Sequence, residues 1–107
     1  QAVFFGTHHG TVVVLGCAHA GVINTLSHIR EMTGERIHAV IGGMHLVQAG
    51  AERIGRTIEA IEAIGPDWIG PNHCTGDAAM AELLHAFAPR CLECHAGQTL
   101  RFPVATE

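Results

Sequence analysis

Residues 11–22, TVVVLGCAHAGV, decide the fold. The apolar, β-branched run at its start predicts a strand covered on both faces. The small residues that follow allow a sharp turn around His19. Apolar positions Val22, Ile23, Leu26, Ile29 and Met32 then recur at helical spacing, with Gly34 as the closing residue. The same order of strand, histidine turn and helix recurs twice. IHAVIGGMHL (37–46), with its strand at 37–41, precedes a helix carrying Ile54, Ile58, Ile61 and Ile64 on one face. That helix has a Glu52–Arg56 pair one turn apart and ends at Gly65–Pro66. DWIGPNHCTG (67–76), with a short strand at 67–70, precedes a third helix. Its expected inward residues are Met80, Leu83, Leu84 and Phe87, and Thr75 and Asp77 are available to cap its start. AVFF (2–5) pairs with the first strand as a hairpin, and the tail around Ala96–Gly97 reads as one or two more strands. The expectation is a single α/β domain over 1–107, with right-handed crossovers between parallel strands.

Each unit places a histidine just past its strand: His19, His45 and His73. In open α/β sheets, ligands gather outside the carboxyl ends of the strands. Three imidazoles there can converge on one divalent metal and leave a position open for water or substrate. His45 follows two glycines by two residues, so it reads equally as a ligand or as a hydrogen-bonding orienter of one. For His19 alone, a helix cap or a packed core histidine is an equal reading. His8 and His9 read as solvated turn residues; His28, His38 and His85 as surface or packing residues.

The composition narrows the function classes. Of 107 residues 48% are apolar and only 15% charged, and the net charge is −4. That gives no basic footprint for nucleic acid and no polybasic membrane anchor. No apolar run approaches the roughly 20 residues of a membrane span, and no signal-peptide pattern is present. The low charge predicts a face hidden against a partner, most simply in a homodimer. The chain starts at Gln1 rather than Met, so it is expected to be processed or part of something longer. Its four cysteines are expected to be reduced thiols in the cytoplasm. Cys91, Cys94 and His95 spell the attachment pattern of a c-type haem, but a β-reading tail without an export signal argues for no haem there. A zinc or redox dithiol at Cys91 and Cys94 fits better, though zinc needs two more ligands. No phosphate-binding loop and no serine nucleophile elbow occurs. A thiol nucleophile at Cys74 beside His73 is conceivable, but a metal uses the three loops more fully.

Taken in order, GCAHAGVINTL, HAVIGGMHL and GPNHCTG resemble the C-terminal half of a metallo-β-lactamase-fold hydrolase. The likeness spans about residues 6–103. It is closest to the dihydropterin-methyl-ribofuranosylaminobenzene phosphate synthase-like subgroup. The resemblance implies half of an αββα sandwich, a mixed sheet with three helices, and one or two metals, usually zinc. His19 then takes the third-motif histidine position and His73 the last histidine ligand, with His45 where a bridging aspartate is common. The family's H-x-H-x-D-H motif is absent from this chain. The expected function is therefore that of a metal-dependent hydrolase half-domain acting on a small molecule. Its metal is weakly bound or absent, and it is active only when paired with an N-terminal half or a partner. The rivals are a non-catalytic oligomerising domain of the same fold and a small haem- or dithiol-bearing electron carrier.

Overall fold

In the computed structural model, which describes residues 1–92, 94 and 96–102, the β-branched runs form the strands and the 3.6-period runs the helices. The elements are β1 (Ala2–Thr7), β2 (Gly10–Leu15), α1 (Val22–Thr33), β3 (Ile37–Gly43), α2 (Ala51–Ile64), β4 (Trp68–Asn72) and α3 (Asp77–Phe87). A 3-10 turn at His73–Thr75 joins β4 to α3. The four strands lie in the order β1-β2-β3-β4. β1 runs antiparallel to β2 through a turn at His8–His9, whereas β2, β3 and β4 are parallel. The sheet is thus mixed, and three helices accompany it.

All three helices pack on one face. Val13 and Leu15 of β2, Val40 of β3 and Ile69 of β4 meet Leu26 and Ile29 of α1, Ile54 and Ile61 of α2, and Leu83 and Phe87 of α3. Gly34 and Gly65 close α1 and α2 in the left-handed conformation, and Arg56 pairs with Glu52 on α2. Two expected inward residues differ: Met32 and Leu84 are each 55% exposed. The buried stripe of α3 runs through Ala79, Leu83 and Phe87, four residues apart, which turns Leu84 about 100° away. Met32, in the last turn of α1, overhangs a cleft bounded by Ala2 and Phe4 of the edge strand.

Among the described residues, the opposite sheet face carries no helix. There Val3 and Val14 are 67% and 40% exposed, so β2 is covered on both faces at Thr11–Val13, as its composition suggests, but not at Val14. Part of this face is roofed by Leu100 and Phe102, which enclose a cleft of about 330 Å³ over Phe5, Val12, Val14 and Ile41. The expected strands near Ala96–Gly97 do not form among the described residues. The tail instead makes one parallel bridge, Ile69 with Cys91, and turns at 96–97. Among the described residues, no helix is long and apolar enough to cross a membrane.

At the amino edge of the parallel strands, Asp67 gathers a polar cluster. Its carboxylate accepts two bonds from the Arg36 guanidinium at 2.7 and 2.8 Å and one from His38 Nδ1 at 2.6 Å. Arg36 also donates to the His9 carbonyl at 2.7 Å, tying the hairpin turn to the cluster. The guanidinium, and then the imidazole, hold the Asp67 carboxyl far below the usual carboxylate range against the opposing effect of burial. A depressed folded-state pKa adds stability that is complete above the unfolded value, about 3.9, and disappears as the pH falls below it. The pair is half exposed, so water screens most of its Coulomb energy. Asp67→Asn is expected to cost about 1 kcal/mol at pH 7, the upper range for an exposed pair with bidentate geometry. Urea unfolding at pH 7 and pH 3 checks this: the gap to wild type should narrow in acid, and a gap independent of pH contradicts the assignment.

Candidate metal centre

Parallel pairing forces β2, β3 and β4 to end on one edge, and glycines let the strand ends close up. Gly42 pairs with Leu15 on one side and Pro71 on the other. The Gly43 amide donates to the Gly16 carbonyl at 3.0 Å. A side chain at 43 would meet Gly16 O at 2.6 Å and Cys74 Sγ at 2.8 Å, so a bare backbone is required there. The loops beyond are stitched together by Thr75, which is fully buried. Its hydroxyl donates to the Asn72 carbonyl at 2.7 Å and accepts from the Met44 amide at 3.1 Å. The Cys74 carbonyl accepts from the Leu46 and Val47 amides, each at 3.1 Å. Thr75 is therefore not the helix cap its position suggests; α3 starts after Gly76 with no side-chain cap.

These bonds hold the three histidine loops side by side. His19 and His45 meet: their rings stack with centroids 4.2 Å apart and planes inclined by 28°. Both residues are exposed, and neither ring has a hydrogen-bond partner among the described residues. His73 opens the 3-10 turn on the same edge; its side chain, and with it the expected closeness to His19, lies outside the described residues. Among the described residues, no three His, Cys, Asp or Glu side chains are grouped to hold a metal. The donors brought together among the described residues are the imidazoles of His19 and His45, which fit a share of a metal site rather than a whole one.

Two features here were not read from the sequence. Ala18 and His45 have φ of 56° and 53°, the non-glycine residues of positive φ among those described. Such conformations cost about 1–3 kcal/mol and concentrate at functional sites. Alanine carries no preference for that region, and the several-fold enrichment of histidine there does not single out one of nine histidines. The second is a thiol pair. The Cys74 thiol donates to the Cys17 carbonyl oxygen at 3.3 Å. Desolvation, reinforced by the Cys74 thiol, raises the Cys17 pKa above its ordinary value. In the tail, burial likewise raises Cys91 and Cys94, and all four cysteines are free. His95 of the C-x-x-C-H pattern lies outside the described residues.

A solved structure of a metal-dependent hydrolase of the β-lactamase superfamily superposes on 96% of this chain with a TM-score of 0.91 and 34% sequence identity. The chain is a homologue of part of a β-lactamase-superfamily hydrolase. It covers 40% of that hydrolase. A 7,8-dihydropterin-6-methyl-4-(β-D-ribofuranosyl)-aminobenzene-5'-phosphate synthase of Methanocaldococcus jannaschii is 35% identical over 97 residues. Those residues are 90% of this chain and 33% of the synthase. An uncharacterised protein of the same organism is 32% identical over 72 residues, 67% of this chain and 27% of the relative. No family model matches. The β-lactamase-superfamily resemblance carried by the three histidine motifs is thus borne out. The chain spans about a third of the length of the curated relatives it matches.

Proposed function

We propose that this chain supplies the histidine-bearing edge of a metal-dependent hydrolase centre, with zinc as the ion. His19 and His73 are the ligands, and His45 is a third ligand or orients one. The observation that carries the reading is the His19–His45 stack on the same edge as both left-handed non-glycine residues. A fold tolerates that strain where the side chain has a task. A divalent ion bound there would lower the pKa of its water towards neutrality and polarise a scissile bond in a small-molecule substrate. The chain's own part is to present unbonded imidazoles from exposed positions, where a small rotation turns their nitrogens from stacked to convergent. Thr75 and the Cys74 carbonyl keep the loops from separating while this happens.

The remaining ligands come from outside the chain, either from the rest of a longer fold or from a second copy. The helix-free sheet face, with Val3 and Val14 exposed, is where that partner packs. The free thiols fit a cytoplasmic setting. The exposed face equally favours a second reading, an oligomerising domain without catalysis. His45→Gly separates them. Glycine relieves the left-handed strain, so stability should rise by about 1 kcal/mol. Zinc affinity, followed by titration calorimetry, should fall roughly 10-fold or more. Unchanged affinity removes His45 from the site, and zinc binding to neither form leaves the oligomerising domain in place.

A further inference from the structure

Cys17 and Cys74 are 57 positions apart, yet they meet where the loops after β2 and β4 close over β3. The Cys74 thiol donates to the backbone oxygen of Cys17 at 3.3 Å. Gly43 makes the meeting possible: a Cβ there would lie 2.8 Å from Cys74 Sγ and 3.3 Å from the Cys17 Cα, in the gap both residues border. Both cysteines are half-buried. Among the described residues neither bonds to a charged group, and neither belongs to the hydrophobic core.

We propose that Cys17 and Cys74 form an oxidisable dithiol that closes to an intramolecular disulfide and staples the histidine loops together. The oxidant is a small-molecule disulfide. The thiolate of one cysteine attacks a sulfur of the reagent and releases its first thiol, leaving a mixed disulfide on the protein. The second cysteine then attacks the protein sulfur and expels the second thiol. Two S–H bonds and the reagent's S–S bond break; one protein S–S bond and two reagent S–H bonds form. The protein dithiol loses two electrons and two protons, and the reagent gains them. His19 lies two residues after Cys17 and His73 one before Cys74, so oxidation fixes the spacing of two candidate ligands. The dithiol does not depend on the metal reading, because the thiols meet whether or not an ion binds.

Cys91 and Cys94 are the competing pair, so the test uses the Cys91→Ser, Cys94→Ser chain beside wild type. Each is equilibrated with oxidised and reduced glutathione at rising ratio in the presence of a chelator, quenched with acid, and analysed by intact mass and peptide mapping. The expected product is a monomer with a Cys17–Cys74 cross-linked peptide in both proteins, lighter by two hydrogens in the Cys91→Ser, Cys94→Ser chain. Cys74→Ser should instead stop at a stable glutathione adduct on Cys17. Persistent adducts on Cys17 or Cys74 in the parent chain would overturn the proposal, as would cross-linking only between separate chains. So would closure only at ratios that also oxidise the urea-unfolded chain.

Discussion

Replacing Gly42 by alanine should cost the chain at least about 3 kcal/mol of stability. Gly42 sits in the middle sheet position with φ of 128°, a conformation L residues rarely adopt. An added Cβ would lie 2.2 Å from the Leu15 carbonyl oxygen and 2.9 Å from its carbonyl carbon. Those atoms belong to β2 and are tied into the ladder, so neither can swing aside as a side-chain end would. Left-handed strain of about 1–3 kcal/mol adds to an overpacking cost of similar size. Gly6→Ala is the matched control: it lies in edge strand β1 with nothing within 4 Å of an added Cβ, and should be within about 0.5 kcal/mol of wild type. Urea midpoints at constant m-value read both. A loss under about 1 kcal/mol for Gly42→Ala contradicts the close approach of β2 and β3. The same approach brings the histidine loops together, so the variant should lose zinc binding in parallel with stability.

Much of this was legible in the sequence because three periodic signals agreed. The β-branched run at 11–15, the isoleucine stripe at 54, 58, 61 and 64, and glycines at 34 and 65 each have one local explanation, and the structure uses it. What failed were properties decided by neighbours distant in the chain. Val14 is apolar, but its exposure depends on whether anything packs on the helix-free face. Leu84 is apolar too, and lies one residue off a stripe fixed by where α3 crosses the sheet. At the site, the shared edge followed from parallel strands and their order. The His19–His45 stack, the Thr75 bridge and the Cys17–Cys74 contact did not. Each joins residues from different units, and side-chain direction in a turn has no period to read.

His19→Ala should weaken zinc binding by roughly 100-fold or more while leaving stability within about 0.5 kcal/mol. Outer partners of metal ligands already contribute roughly 10–100-fold, and a direct ligand contributes more. The small stability effect follows from exposure: His19 stands outside the core and its only ring contact among the described residues is His45. His73→Ala should act the same way on affinity. His85→Ala, on the exposed side of α3, is the control and should bind zinc as wild type does. Competition against a chromophoric chelator gives the affinities. Equal binding by His19→Ala and His85→Ala contradicts the assignment, whereas loss in both His19→Ala and His73→Ala places the two on one ion.

The most direct measurement is X-ray absorption at the zinc edge on the chain loaded with one equivalent of metal. The account predicts at least two imidazole nitrogens at about 2.0–2.1 Å, with multiple-scattering features that lose one histidine in His19→Ala. Water oxygens should complete the coordination. A sphere built from sulfur at about 2.3 Å would place the metal on the cysteines instead. That result, or oxygen ligands alone, would contradict a histidine centre at the ends of β2, β3 and β4.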